Sequence, residues 1–381
     1  MSDRLPSARD KLLFTPGPLT TSLSVKQAML HDAGSWHHEF NELVACLRRS
    51  LLELAGLTRE GGWEAVLLQG SGTYGVEAVF QTCVPRQGKV AVMTNGAYGN
   101  RMVQMLKQAG IHHVVLPTSE DTPASPETLD NLLRLDPAIT HVAVVHCETT
   151  TGILNPIEAI GQVSHSHQKL YVVDAMSSFG GMPIDFEACG IDFLISSPNK
   201  CLEGVPGFSF VLCRREALAA CEGNARSLSL DLLAQLKGFE TNGQFRYTPP
   251  THCLLALAQA LSEMKDEGGV EARAARYRRN HQVLLEGLSD LGIRPYLKPD
   301  VQSHIITAFA FPSVPGFSFS AFYRGLSERG FLIYPGKLTQ VDTFRIGTIG
   351  RLFPSDLEQL VQAIGKTLLD LERSKVSTTP G

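Results

Sequence analysis

Three short runs of the sequence carry side chains that could do chemistry, and each follows an apolar stretch. Gly70-Ser71-Gly72-Thr73-Tyr74-Gly75 combines small residues with hydroxyls and opens a helical pattern. Asp174 ends the apolar run that precedes it, and Lys200 stands among glycines and prolines just after another such run. Together they offer an anion cup, an acid and an amine. A lysine held in apolar surroundings has a lowered pKa and can act as nucleophile and base.

Each run also has a simpler interpretation when taken alone. The G-x-G-x-x-G spacing is shared with dinucleotide sites, but the next predicted strand ends in Asn95-Gly96 and lacks the acid that holds a ribose. A hydrolase nucleophile at Ser71 is disfavoured, because the serine elbow needs glycine at position 69. Asp174 alone could cap a loop or helix, and Lys200 alone could be a surface lysine. The remaining interpretation of the glycine-rich run is a helix N-terminus that binds a phosphate group.

These residues are positioned by an alternation of strands and helices. The predicted strands are 65–68, 90–94, 113–116, 141–146, 170–173, 193–196 and 208–212. Nearly continuous apolar strands separated by helices predict a parallel sheet buried on both faces, with ligands at the carboxyl ends of its strands. A phosphate cup, an acid and an amine at one sheet edge match pyridoxal phosphate. The helix N-terminus would take the phosphate, Asp174 the pyridinium nitrogen and Lys200 the covalent link.

The pattern changes after about residue 251. Long helical patterns at 251–266 and 270–288 precede strands at 304–311, 331–334 and 343–346, with helices at 320–329 and 354–372. We therefore expect an α/β protein with a large domain around a mostly parallel seven-stranded sheet and a smaller C-terminal α/β domain. The predicted division is an arm over 1–30, the large domain over 31–255, the small domain over 256–373 and a frayed tail over 374–381.

Composition narrows the range of partners. The 381 residues carry 34 Lys and Arg against 38 Asp and Glu, a formal charge of −4, which disfavours nucleic acid and anionic membranes as partners. The arginines of the second long helix, Arg273, Arg276, Arg278 and Arg279, are therefore expected on a solvated face. Eight cysteines without a C-x-x-C pair, and the absence of a signal-like or membrane-length apolar run, predict a reduced cytoplasmic setting and no metal site.

The chain resembles fold-type I pyridoxal-phosphate enzymes, and is most similar among them to the 2-aminoethylphosphonate–pyruvate aminotransferases. The resemblance extends nearly end to end. It is carried by the runs Thr15-Pro16-Gly17-Pro18, Asn95-Gly96-Ala97-Tyr98-Gly99, Glu148-Thr149-Thr150-Thr151-Gly152, Asp174-Ala175-Met176-Ser177-Ser178, Tyr334-Pro335-Gly336-Lys337 and Phe344-Arg345-Ile346-Gly347. It implies a homodimeric enzyme that moves the amino group of 2-aminoethylphosphonate to pyruvate.

The resemblance also implies roles for individual residues. Lys200 would be the Schiff-base lysine and 1,3-proton shuttle, and Asp174 the partner of the pyridine nitrogen. The other implied cofactor residues are Ser71, Gly72 and Thr73 at the phosphate, Tyr98 stacked on the ring, Thr149 at the ring oxygen or phosphate edge, and Thr248 reaching the partner subunit's phosphate. Arg345 would clamp the substrate anion, and Thr15 and Gly17 would complete the substrate site.

Other functions remain open from the sequence. Another small-substrate aminotransferase, such as an alanine–glyoxylate enzyme, would share the cofactor residues and differ in its amino donor. A cofactor-dependent aminophosphonate lyase would release phosphate without pyruvate. A cofactor-binding regulator is disfavoured by the lack of a basic arm, and a hydride-transfer enzyme by the missing ribose acid.

Overall fold

A computed structural model of the chain describes residues 10–314, 317–338 and 341–376. Its strands are β1 (Leu12–Leu13), β2 (Trp63–Gln69), β3 (Lys89–Thr94), β4 (His112–Pro117), β5 (Ile139–Val145), β6 (Cys147–Glu148), β7 (Ile153–Leu154), β8 (Leu170–Asp174), β9 (Phe193–Ser196), β10 (Phe208–Arg214), β11 (Ile306–Ala310), β12 (Phe331–Leu332), β13 (Tyr334–Pro335) and β14 (Thr343–Gly347). Its helices are α1 (Leu23–Ala28), α2 (His38–Leu54), α3 (Gly72–Cys83), α4 (Ala97–Gln108), α5 (Pro126–Leu135), α6 (Ile157–Ser166), α7 (Arg215–Ala219), α8 (Leu232–Asn242), α9 (Thr251–Glu267), α10 (Gly269–Asp290), α11 (Phe319–Glu328) and α12 (Pro354–Val376).

A seven-stranded sheet forms the larger layer and confirms the predicted fold class. Its strand order is β2-β10-β9-β8-β5-β3-β4, and β10 alone runs antiparallel to its two neighbours. Most positions of its central strands are fully buried, because helices cover both faces of the sheet. The seven predicted strands all occur, each within about two residues of its predicted ends.

A second hydrophobic core forms around the C-terminal strands. The three-stranded sheet β11-β14-β13 packs with α10, α11 and α12, and β1 joins this region by pairing in parallel with β12. The boundary predicted between residues 255 and 256 falls inside α9, and residues 1–9 and 377–381 lie outside the described residues. The division into arm, two domains and tail remains a prediction.

The single strand predicted over 331–334 is wrong. The chain instead forms two short strands, β12 pairing with β1 and β13 pairing with β14, on either side of the buried Ile333. A short apolar run can leave one sheet and join another, and periodicity alone does not reveal this change of partner.

The expectation of a solvated arginine face on α10 is wrong for Arg273 and Arg276. Arg273 is fully buried, and both guanidinium groups pair with Glu267, while Arg276 also binds Glu203 at 2.6 Å. Helical spacing places these two arginines on the face that carries Tyr277, whereas residues 278 and 279 are exposed as predicted. The backbone N–H of Glu203 donates to the carbonyl of Lys200 at 2.8 Å, so this buried network lies directly behind the lysine loop.

Within the described ranges no helix is both long and apolar enough to span a bilayer. All eight cysteines are free thiols.

Candidate active site

A cavity of about 280 Å³ lies where several strands of the large sheet end. The predicted residues Ser71, Gly72, Thr73, Tyr98, Asp174 and Lys200 all line it. They follow the carboxyl ends of β2, β3, β8 and β9, so the parallel sheet brings to one edge side chains that are far apart in sequence. The remaining predicted residues, Thr15, Gly17, Thr149, Thr248 and Arg345, lie outside the wall of this cavity.

The first turn of α3 forms a polar cup in the cavity. Ser71 is the N-cap residue, and its hydroxyl makes no capping bond to α3 within the described structure. A Cβ atom on Gly72 would lie 2.2 Å from the Sδ atom of Met176, so any larger residue would require the Met176 side chain to move. Arg101 donates to the Thr73 hydroxyl at 3.3 Å and adds positive charge. Free backbone N–H groups at a helix start, hydroxyls and a guanidinium together suit a phosphate group.

Asp174 lies across the cavity at the end of β8. It is 6% exposed, and its Oδ1 atom accepts the backbone N–H of Met176 at 2.9 Å. Burial raises the pKa of its carboxyl to about 6; Glu148 adds to this effect, while the Met176 N–H, Lys200 and Arg101 oppose it. A buried carboxylate with so little compensation favours a cationic partner in the cavity.

Lys200 follows β9, and its amine is enclosed by the turn that contains Gly17. Its Nζ donates to the carbonyl of Pro16. Gly17 has φ +125°, and a Cβ atom there would lie 2.7 Å from Cδ of Lys200. Glycine at this position therefore lets the turn pack along the lysine side chain. Burial lowers the pKa of Lys200, and Tyr98, Cys201 and Asp174 oppose that shift only in part.

Tyr98 connects the cavity to Arg345. Thr149 and Arg345 lie beside its phenol, and both favour the ionised form and so lower its pKa. Arg345 is buried on β14, and its guanidinium donates to the carbonyls of Pro335 at 2.9 Å and Thr149 at 2.6 Å. Burial alone would raise the pKa of the Tyr98 phenol, but neighbouring cations, Lys200 foremost, lower it overall. The substrate-clamp candidate and the cofactor cavity are thus separated by one tyrosine ring.

Glu148 is a buried carboxylate to which the sequence analysis gave no role. Its Oε2 atom accepts the backbone N–H groups of Tyr98 and Gly99, both at 3.1 Å, and its Oε1 atom accepts the Thr150 hydroxyl at 2.7 Å. Burial nevertheless raises its pKa. Negative charge at a helix N-terminus is favourable, so Glu148 fixes the start of α4, the helix that carries Tyr98 and Arg101. The i, i+3 spacing of Tyr98 and Arg101 could have identified Arg101 as a second cavity residue.

The last two predicted residues have different surroundings. The Thr15 hydroxyl donates to the carbonyl of Pro18 at 2.5 Å and thereby closes the turn around Gly17. Thr248 is exposed, and its carbonyl accepts from the side chain of Gln69, which directly precedes the cup. The structure therefore places Thr248 beside the cup but outside the cavity of its own chain.

Fold and site together define a class of enzyme. Residues 34–339 match the model of the aminotransferase class-V family. The solved structure of an alanine–glyoxylate aminotransferase from Nostoc sp. superimposes with a TM-score of 0.88, at 25% identity, over 97% of this chain and 98% of that one. A parallel sheet with a lysine, an acid and an anion cup at its carboxyl edge is what such enzymes require.

Two relatives of higher identity narrow the class. The 2-aminoethylphosphonate–pyruvate transaminase of Klebsiella pneumoniae subsp. pneumoniae is 50% identical over 95% of this chain and 99% of its own length. That of Syntrophobacter fumaroxidans is 50% identical over 92% of this chain and 95% of its own. The chain therefore belongs to the class-V aminotransferases, in the group of the 2-aminoethylphosphonate–pyruvate transaminases. The resemblance stated from the sequence is confirmed.

Proposed function

We propose that this enzyme uses pyridoxal phosphate to transfer the amino group of 2-aminoethylphosphonate to pyruvate, giving phosphonoacetaldehyde and L-alanine. The observation that carries the proposal is the convergence of the cup, Asp174 and Lys200 on one cavity. The relatives at half identity, which are named for this donor and acceptor, support the choice of substrates. The more distant alanine–glyoxylate enzyme supports the fold.

The residues around the cavity fit pyridoxal phosphate in charge and in size. The cavity volume of about 280 Å³ is near the lower end of small-molecule sites, about 300 Å³. Ser71, Gly72 and Thr73 would hold the phosphate, Asp174 the ring nitrogen and Lys200 the aldehyde carbon. When bound, pyridoxal phosphate supplies an electron-withdrawing ring that stabilises negative charge on the substrate carbon bearing the nitrogen.

Asp174 and Lys200 then have complementary tasks. The buried Asp174 carboxylate would face the ring nitrogen and keep it protonated, and would thereby gain the cationic partner that it lacks. The amine of Lys200 has a lowered pKa, so it is readily available in its neutral form as a base. Lys200 would take the proton from the amine-bearing carbon of the substrate and deliver it to the former aldehyde carbon of the cofactor. Because the first product leaves before pyruvate enters, the kinetics are ping-pong.

Arg345 binds the acidic group of each substrate in turn. Its guanidinium is held by two backbone carbonyls, so it is oriented before a substrate arrives. A planar guanidinium can bind a carboxylate or a phosphonate through two parallel hydrogen bonds. Arg345→Ala should slow both half-reactions about tenfold to a hundredfold, since a hydrogen bond to a charged group contributes about 1.5–3 kcal/mol. Arg279→Ala, at an exposed site, is the matched control, and equal behaviour of the two variants would place the clamp elsewhere.

The working form is a homodimer in the cytoplasm. Tyr74 and Tyr247, which flank the cup, are 53% and 43% exposed, and exposed aromatic residues are typical of interface cores. A second copy seated on them would bring its Thr248 to the phosphate. Light scattering should give twice the mass of one chain, and Thr248→Ala should weaken the retention of the cofactor. The free thiols suit a reducing compartment.

The decisive experiment follows the absorbance of the bound cofactor in single turnovers of the purified holoenzyme. 2-Aminoethylphosphonate alone should remove the visible band, and pyruvate added afterwards should restore it. A band that responds only to L-alanine or another amino acid would reject the phosphonate donor and keep the aminotransferase. Release of phosphate without a need for pyruvate would indicate a lyase. No band, even after addition of pyridoxal phosphate, would reject the assignment of Lys200 and Asp174.

A further inference from the structure

A second cation lies beside Tyr98, one of the residues that line the cavity. The Nζ atom of Lys337 is 3.5 Å from the Tyr98 hydroxyl and 5.0 Å from the centre of its ring. Arg345 also lies close enough to Tyr98 for its charge to act on the phenol. The ammonium and the guanidinium therefore approach one phenol, with 239 positions of sequence between Tyr98 and Lys337.

The two cations differ in how firmly they are held. Arg345 is 1% exposed and is anchored by the carbonyls of Pro335 and Thr149. Lys337 is exposed, and in the part of the chain that the structure describes its polar contact is the long bond to Tyr98. No carboxylate within the described residues forms an ion pair with it. Lys337 thus has a charge to offer to a ligand, on the side of Tyr98 that faces solvent.

The two substrate anions differ in their negative charge. A carboxylate carries one negative charge. A phosphonate resembles a phosphate monoester, whose second pKa is about 6, so it carries close to two charges at neutral pH. One guanidinium suffices for a carboxylate, whereas a dianion leaves negative charge that a second cation can bind.

We propose that Lys337 binds the second negative charge of the phosphonate substrate and so determines the preference of the shared pocket for the phosphonate donor. The inference rests on the proposed function, because it assigns the group that distinguishes that donor from the carboxylate substrates. Arg345 serves both anions, and Lys337 adds affinity for the dianion.

The test compares Lys337→Met and Lys337→Arg in the holoenzyme, with Lys366→Met, at an exposed site on α12, as the control. Single-turnover rate constants are measured against donor concentration for 2-aminoethylphosphonate and for L-alanine. We expect Lys337→Met to lower the second-order constant for the phosphonate about tenfold to a hundredfold, equivalent to about 1.4–2.8 kcal/mol. The constant for L-alanine should fall less than about threefold. Lys337→Arg, which keeps the charge, should recover most of the loss.

Two further measurements separate a charge effect from a structural one. Added salt should weaken the phosphonate reaction more steeply in the wild type than in Lys337→Met, because an exposed charge pair is screened. Ethylphosphonate and propionate, which lack the amine, should inhibit competitively, and only ethylphosphonate should lose affinity in Lys337→Met.

The possible failures are distinguishable. A wild type that responds to L-alanine but not to 2-aminoethylphosphonate would overturn the proposed function, and the inference with it. A wild type that responds to both donors, with Lys337→Met unchanged or equally slowed for both, would overturn the role of Lys337 alone. Failure of Lys337→Arg to recover activity, or equal salt dependence of the two proteins, would also overturn it.

Discussion

The buried Asp174 carboxyl predicts that one substitution will stabilise the apoprotein while it damages the holoenzyme. Asp174→Asn keeps the oxygen that accepts the Met176 N–H but removes the buried charge. In the folded apoprotein the pKa of Asp174 is raised from 3.8 to about 6, mainly by burial. Each pKa unit corresponds to about 1.36 kcal/mol, so a shift of about two units costs on the order of 3 kcal/mol of folding free energy above pH 6.

The direction of the pH dependence follows from the raised pKa. Below pH 4 the carboxyl is protonated in both states and costs nothing. Between about pH 4 and pH 6 the unfolded chain loses its proton first, so the free energy of unfolding of the wild type falls as the pH rises. The free energy of unfolding of the asparagine variant does not fall in this way. We therefore expect the difference in unfolding free energy between variant and wild type to grow between pH 4 and pH 6 and then to stay constant.

Urea unfolding of both apoproteins from pH 4 to pH 8 measures this gap. The matched control is Asp300→Asn, at an exposed position, which should change the unfolding free energy by less than about 0.5 kcal/mol. With pyridoxal phosphate bound, the wild type should be the more stable of the two proteins. Asp174→Asn removes the charge opposite the ring nitrogen, so the variant should bind the cofactor more weakly and lose it more readily on dilution. A gap that does not vary with pH, or an apo variant less stable than the wild type at pH 7, would refute the reasoning.

Two other substitutions test the surroundings of the lysine. Gly17→Ala should slow both half-reactions at least about tenfold, because its methyl would meet the side chain of Lys200 at 2.7 Å; Gly292→Ala, at a φ of +72° with no atom nearby, tests a positive φ without such a contact, a backbone strain of about 1–3 kcal/mol. Glu203→Gln should lower the unfolding free energy by about 3–5 kcal/mol, because the two buried arginines are then left to share the single negative charge of Glu267, whereas Glu222→Gln breaks an exposed pair and should cost less than about 1 kcal/mol. Equal effects within either pair, in turnover or in denaturant midpoint, would contradict the corresponding prediction.

Much of the cavity could be predicted from the sequence because it depends on where strands end. Asp174 ends β8 and Lys200 follows β9, while Ser71 lies just beyond β2. In a parallel sheet all such positions share one edge, so local patterns of apolar and polar residues suffice to place them together. The same logic gave seven strands with nearly correct ends.

Contacts between residues far apart in sequence could not be predicted from local patterns. Periodicity could not show that the run over 331–334 divides between two sheets. Charge balance placed Arg276 on a solvated face, and its buried partner Glu203 lies 73 positions away, in the loop behind the lysine. Helical periodicity shows which residues share a face, but not what that face packs against.

Local sequence patterns were enough to predict the chemical groups of the site: an anion cup, an acid and an amine at the carboxyl edge of one parallel sheet. The precise arrangement of those groups depends on contacts between residues that are far apart in the chain. Pro16 lies 184 positions from the Lys200 amine that it binds, and Tyr98 lies near Lys337 only because the C-terminal strands pack beside the loop that contains Thr149. Such contacts depend on the packing of whole elements, and burial then sets the pKa values that no local pattern encodes.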